Sequence, residues 1–213
     1  MQLKIYVPKH PLIVHLASLM QNADIPPYLV RSSAIEITNW LCYEAMRDWI
    51  SLTEVQSNNI DGTVVANLID PEKSILAMPL IKSGLLMSAS IQKLSLSARL
   101  LYVNFRIRSQ TQTYDIAEED KLAMGNLSNY SKLLILDSVV LSPDRILALL
   151  SFMQGEGVDL SLVRIIFIFC TSGVLQEIGK AYPELTIYTS CIKDTSSQLE
   201  LSLYERLLDT LQT

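Results

Sequence analysis

Leu133-Leu134-Ile135-Leu136-Asp137-Ser138-Val139-Val140-Leu141-Ser142-Pro143-Asp144-Arg145 is the stretch on which the fold turns. Leu133 to Leu136 read as a strand buried on both faces, and Ile146 to Met153 follow with helical spacing. Between them lies a turn without glycine. A strand–turn–helix junction holds an anion when several backbone N–H groups converge and glycines let the ligand come close. Here Pro143 has no N–H to offer, and Asp144 puts a carboxylate where a phosphate would sit. Ser142 suits a helix N-cap, Pro143 the first helical position and Asp144 the positive helix start. The junction is well made for starting a helix and poorly made for holding a phosphate.

Short apolar runs alternate with helical stretches along the rest of the chain. Strands are expected at Ser74–Met78, Ala98–Asn104, Leu133–Asp137, Arg164–Phe169 and Leu185–Ser190. Helices are expected at Ser83–Lys93, Pro143–Gly155 and Val174–Ala181, after two N-terminal helices at Leu12–Asn22 and Pro27–Leu52. In the second of these Ile35, Leu41, Ala45 and Trp49 make a broad apolar face. This order predicts an α/β fold, a doubly wound and mainly parallel sheet. Ligands of such sheets bind beyond the C-terminal strand ends, where Lys82 and Asp137 fall.

The 213 residues fit one domain with a sizeable core. Residues 1–52 would be N-terminal helices, 105–131 a hairpin arm and 197–212 a C-terminal helix. Apolar residues make up 49% and charged ones only 18%, so the core is large or another subunit covers an apolar surface. A net charge of −5 argues against nucleic acid as a partner. No uncharged apolar run reaches the roughly 18 residues of a membrane span. The start, Met1 to Pro8, lacks the long apolar core of a signal peptide. Cys42, Cys170 and Cys191 sit in apolar surroundings without metal-ligand spacing, which predicts reduced thiols and a cytoplasmic location. His10 and His15 are five residues apart, which does not put them on one helix face, so capping or packing is the expected role of each.

Five segments in register resemble the uracil phosphoribosyltransferase family. They are Lys9-His10-Pro11-Leu12 with Leu19-Met20, Leu41-Cys42-Tyr43-Glu44-Ala45-Met46-Arg47-Asp48, and Met78-Pro79-Leu80-Ile81-Lys82-Ser83-Gly84-Leu85-Leu86-Met87. Ser97-Ala98-Arg99 and Tyr182-Pro183-Glu184-Leu185-Thr186-Ile187-Tyr188-Thr189-Ser190 complete them. The resemblance spans about residues 8–193 and implies a phosphoribosyltransferase-like fold, a homodimer, and uracil and PRPP as ligands. It also implies that the 107–130 segment is a hairpin folded over the site and across to the partner subunit. No cofactor is expected beyond Mg2+ carried with PRPP, and no metal held by protein ligands.

The resemblance also shows where this chain departs from its family. The pyrophosphate motif Pro-x-x-Arg-Ala-Gly reads Pro79-Leu80-Ile81-Lys82-Ser83-Gly84, so Lys82 keeps the charge without the bidentate fork of arginine. Arg106 matches a second phosphate-facing arginine. In the 5′-phosphate loop, Asp137 matches the family's aspartate and Ser142 its threonine, but Pro143-Asp144-Arg145 replaces Gly-Gly-Ser. A lost charge-assisted hydrogen bond costs roughly 1.5–3 kcal/mol. Asp144 at ~5 Å from a phosphate adds roughly 3 kcal/mol of repulsion per unit charge at an effective dielectric near 20. Arg145 compensates only if it folds back over the site.

The family closes over the base with a glycine-rich C-terminal segment. In this chain Thr195-Ser196-Ser197-Gln198 follow Ile192-Lys193-Asp194, and then Leu199, Leu203, Leu207 and Leu211 at helical spacing. Base contacts, if retained, fall to Tyr188, Ser190 and Ile192. The expectation is a family fold that has lost catalysis and works as a binding, scaffold or regulatory protein, with a partner on the C-terminal helix or hairpin arm. An active enzyme making UMP and pyrophosphate for pyrimidine salvage is the first alternative, and a non-catalytic nucleotide sensor the second.

Overall fold

The computed structural model describes residues 2–59, 62–70, 75–94, 98–108, 113–125, 127, 130, 132–194 and 205–211. Six parallel strands form the central sheet: β1 (Lys4–Tyr6), β4 (Leu76–Pro79), β5 (Arg99–Leu100), β8 (Leu133–Val140), β9 (Val163–Thr171) and β10 (Thr186–Lys193). Their order across the sheet is β1-β10-β9-β8-β4-β5, with parallel pairing at every step. From β4 the chain moves outward to β5, then returns and winds from β8 in the other direction. The switch point therefore lies between β4 and β8, and it fixes where a ligand crevice can form.

Both faces of the sheet are covered, which is why its inner strands are largely apolar. On one face α1 (Pro11–Met20), α2 (Pro27–Met46) and α3 (Ser88–Leu94) pack Met20, Ile37, Leu41, Ala45 and Ile91 against Leu134, Leu136 and Ile166. On the other, α5 (Asp144–Gly155) and α6 (Ser172–Ala181) pack Ile146, Leu149, Leu150, Val174 and Ile178 against Ile135, Ile165 and Ile187. Ala98–Asn104, expected as a full strand, contributes only Arg99–Leu100, with one further bridge from Val103 to Leu80.

Three elements differ from expectation. The second N-terminal helix ends at Met46 rather than Leu52, because Lys132 Nζ and an Arg164 guanidinium N–H donate to the Trp49 and Ala45 carbonyls and cap its exit. Residues 52–59 and 62–69 then form an antiparallel hairpin, β2 (Leu52–Asn59) with β3 (Gly62–Ile69). The segment expected as one arm is a short hairpin, β6 (Phe105–Ile107) with β7 (Tyr114–Ile116), followed by the helix α4 (Glu118–Ala123). Met124 and Leu127 beyond α4 are buried in the core, so that end is anchored rather than solvated.

His10 has the expected capping role: its Nδ1 accepts the Leu12 N–H at 3.2 Å while the ring stacks on Trp40. Residues 205–211 are helical and lie on α1 and α2. Leu207 and Leu211 are buried with Ala17, Met20 and Val30, Arg206 donates to the Ala23 and Asn22 carbonyls, and Arg31 donates to the Thr210 carbonyl. The C-terminal helix thus packs on its own chain. The rest of its expected span, 197–204 with the Ser196 or Ser197 cap, lies outside the described residues, as do Ser74 and Ser97.

Candidate functional site

The turn after β4 is built from the backbone outward. The Leu80 N–H donates to the Leu136 carbonyl, that of Ile81 to the Val103 carbonyl, and that of Gly84 to the Leu80 carbonyl, locking residues 80–84 across the switch point. Gly84 fits because it lacks a side chain: a Cβ there would lie 2.2 Å from the Leu136 carbonyl oxygen and 2.7 Å from the Leu80 nitrogen. Lys82 holds φ at 74°, a left-handed conformation that costs a non-glycine residue about 1 kcal/mol and is commonest at functional turns. Lys82 is exposed. Ser83 is fully buried.

Across the turn, β8 continues three residues past Asp137. Asp137, Val139 and Val140 pair with Phe167, Phe169 and Cys170, so the residues expected to loop out around a phosphate carry a strand ladder instead. Side-chain alternation slips at this level: Leu134, Leu136 and Val139 face the α2 side, while Ile135 and Val140 face the α5 side. The neighbouring strands share the disturbance, with the Ile168 carbonyl accepting the Ser190 hydroxyl at 2.5 Å and the Thr189 hydroxyl at 3.3 Å. Only Leu141, Ser142 and Pro143 separate β8 from α5. The helix begins at Asp144, with Pro143 at the N-cap rather than in the first turn. The Asp144 N–H still donates to Ser142 Oγ at 3.3 Å, and the Ser142 hydroxyl donates to the Asp144 carboxylate at 2.5 Å.

Asp137 is fully buried, and burial pushes its carboxyl above the ordinary carboxylate range, against the attraction of Arg145. Arg145 reaches back from the first turn of α5 to Asp137 Oδ2 at 3.2 Å, its side chain 22% exposed. The other oxygen, Oδ1, has no hydrogen-bond partner, nor do the buried hydroxyls of Ser83 and Ser138. Ser83 lies near enough to favour the charged carboxylate but without the geometry of a formed bond. Ser138 was not a sequence candidate; its signal was a small polar residue inside an otherwise apolar strand.

The structure thus gathers Lys82, Ser83, Gly84, Asp137, Ser142 and Arg145 around the switch point. Arg106 sits on β6, where it forms a two-oxygen pair with exposed Glu119 at 2.9 Å. Such a surface pair contributes about 0–1 kcal/mol and gives little hold on the guanidinium. Tyr188, Ser190 and Ile192 do not form one group. The Tyr188 ring stacks on Tyr6 at 5.0 Å and lies 6.0 Å from the Arg164 guanidinium, in the N-terminal half of β10. The Ser190 hydroxyl is spent on Ile168, and Ile192 packs toward α6. Among the described residues no cluster of three or more acidic, histidine or cysteine side chains forms a metal site.

A doubly wound parallel sheet with a glycine-tight turn and a buried aspartate at its switch point has a phosphoribosyltransferase-like architecture. The sequence narrows that class: residues 7–200 match the model of the uracil phosphoribosyltransferase family, and the chain belongs to it. It is 29% identical over 193 residues to a uracil phosphoribosyltransferase of Synechocystis, covering 91% of this chain and 88% of that one. It is 27% identical over 190 residues to a uracil phosphoribosyltransferase homolog of Pyropia yezoensis, covering 89% and 88%. The solved structure of the AQ2163 protein from Aquifex aeolicus superposes with a TM-score of 0.71 at 19% identity, over 91% of this chain and 89% of that one, which supports the fold alone.

Proposed function

We propose that the chain works on the ligands of its family, transferring the phosphoribosyl group of PRPP to uracil to give UMP and pyrophosphate. The observation that carries this reading is the 80–84 turn, locked by three backbone hydrogen bonds against β8 and the Val103 bridge, with Lys82 in a left-handed conformation at its tip. Family membership along nine-tenths of the chain supports it. In this reading Lys82, with the Ser83 and Gly84 backbone, faces the pyrophosphate, and Mg2+ arrives on PRPP as part of the substrate. Arg106 leaves its weak pair with Glu119 to join them. Asp137 takes the ribose side and Arg145 the 5′-phosphate. Phosphoribosyl transfer passes through a cationic sugar, so the protein's work is positioning and electrostatics. The test is UMP formation from uracil and Mg-PRPP by the purified protein, with Lys82→Ala expected to abolish it.

A specific observation favours a second reading, a family fold without turnover that binds or regulates. β8 runs on to Val140, Arg145 pairs with Asp137, and Asp144 occupies the helix start. Absence of UMP together with no heat from millimolar Mg-PRPP, with or without uracil, decides for it. Heat from one nucleotide without product decides for a sensor.

A homodimer belongs to the proposal. Among the described residues the β2–β3 hairpin pairs with no third strand, and a lone two-stranded sheet is marginal in water. It exposes Leu52, Val55, Val65, Leu68 and Ile69, surface that a second copy would bury. Cytoplasmic location is part of the same proposal, supported by three free thiols.

A further inference from the structure

β1 ends the sheet on the side away from the switch point, with β10 and β9 between it and β8. The Lys4 N–H donates to the Leu185 carbonyl at 3.1 Å, and the backbone groups of a strand alternate in direction. The N–H and carbonyl of Ile5 therefore point away from β10, and among the described residues no other strand pairs with this edge. Lys4, Ile5 and Tyr6 are all exposed. Three residues are too few to template a large sheet and enough to hold one short segment. A groove of about 580 Å³ lies beside the edge, in the range of built binding sites. Leu3 and Ile5, Leu175 of α6 and Ile192 of β10 supply its apolar wall, and Lys180 is the only charged residue among those that line it. Lys180 is exposed in the last turn of α6 and forms no ion pair among the described residues.

The groove has a direction. Gly179 lies against Leu3, where a Cβ would stand 3.2 Å from Leu3 Cδ2, so the Lys180 end of α6 meets the start of β1. At the other end the Ser172 hydroxyl donates to the Asp194 carboxylate, just past β10. We propose that this edge and groove take a protein partner by strand addition. The partner segment is extended and antiparallel to β1, with apolar side chains two residues apart and a carboxylate directly after them. Residues opposite each other in an antiparallel ladder share a face, so those opposite Ile5 and Leu3 enter the groove. Antiparallel pairing brings the C-terminal end of the segment to Lys180, and parallel pairing would bring the wrong end. The intervening residue faces Lys4, which shares the cleft on that side with Glu184, so a neutral residue fits there. A compact apolar molecule cannot use the outward N–H and carbonyl of Ile5 in register, which is why the groove selects a peptide. The inference is independent of the phosphoribosyl reading.

The test is fluorescence anisotropy of the full chain with the peptide Ser-Thr-Val-Thr-Val, labelled at its N-terminus and free at its C-terminal carboxylate. Saturable binding with a Kd below about 1 mM is expected. The same peptide as a C-terminal amide should bind about threefold more weakly, the scale of an exposed ion pair. Ser-Thr-Ser-Thr-Ser should lose at least about tenfold, because two apolar side chains no longer leave water. Ile5→Pro removes the outward N–H and leaves the bonds to β10, so it should abolish binding. Lys180→Glu, at an exposed helix position, should reverse the preference so that the amide binds tighter than the acid. That comparison decides the matter even if Ile5→Pro does not fold. No saturable binding up to about 1 mM, equal affinity for the valine and serine peptides, or an acid preference that survives Lys180→Glu each overturns the proposal. So does a folded Ile5→Pro protein that binds like wild type.

Discussion

Arg145 is the ion-pair partner of the buried Asp137. Removing its guanidinium leaves the Asp137 carboxylate buried without a cation, and breaking a buried pair costs about 3–5 kcal/mol. Arg145 is partly exposed and Asp137 can protonate, so the expected loss for Arg145→Gln is about 2–3 kcal/mol. By calorimetry that is a fall in Tm of roughly 5–10 °C for a chain of this size; a change within about 1 °C would mean the pair is ornamental. Lys82 gives the opposite sign. Lys82→Gly relieves the left-handed strain at φ 74° and should raise stability by about 1 kcal/mol, while any pyrophosphate binding is lost. Stability and affinity falling together would place the lysine in the fold rather than the site. At this scale Lys82, Asp137 and Arg145 were legible as candidates from the sequence. The left-handed lysine and the orphaned Ser83 and Ser138 hydroxyls were not, because both depend on how two distant segments meet.

Between elements, Arg164 is the bolt that joins the exit of α2 to the sheet. Its guanidinium pairs with both oxygens of Asp48 at 2.6 and 2.8 Å, donates to the Ala45 carbonyl and lies 4.3 Å above the Trp49 ring. The hydrogen bond from Arg164 holds the Asp48 carboxyl down at about 2. A lowered folded-state value means that the stabilisation is present above the unfolded value near 4 and is lost as pH falls through about 2. Asp48 is 68% exposed, so solvent limits the pair to under about 1 kcal/mol at neutral pH. Asp48→Asn should therefore melt slightly below wild type at pH 7, and the two melting curves should converge between about pH 4 and pH 2. A constant gap across that range would assign the difference to packing. Apolar runs made β4, β8, β9 and β10 legible, since strands covered on both faces carry the simplest pattern. β1 escaped because its three residues, Lys4-Ile5-Tyr6, are exposed and owe their strand form to β10. The β2–β3 hairpin has a usable signal in Asp61-Gly62 between runs that hold β-branched residues, but the sequence reading assigns no element between Leu52 and Ser74. β8 was cut short at Asp137 because a polar pair, Asp137-Ser138, looks like a strand end when neighbouring strands are unknown.

At the scale of the whole molecule the apolar surplus of the sequence divides into two parts. One part is the two-sided core, to which the C-terminal helix adds Leu207 and Leu211. The other is surface, and much of it lies on the β2–β3 hairpin. Directly paired residues share a face in an antiparallel ladder, so Thr53 and Leu68 lie with Val55 and Ala66 on one side, and Leu52 and Ile69 with Gln56 and Val65 on the other. Val55 and Leu68 are exposed on the first side and Leu52, Val65 and Ile69 on the second. A hairpin apolar on both sides cannot turn one side to water and the other to its own core. A symmetric pair of chains solves this, because each arm then packs on the partner and one patch serves both. The purified protein should therefore scatter light as a particle of twice 23.9 kDa. Leu68→Glu, at a site 52% exposed in the single chain, should leave each chain folded yet shift the population toward the monomer. Burying an unpaired carboxylate costs several kcal/mol and is avoided when the surface stays in water. A monomeric wild type, or a Leu68→Glu protein that remains fully dimeric at micromolar concentration, would remove the hairpin from the interface and leave its apolar faces to a partner of another kind.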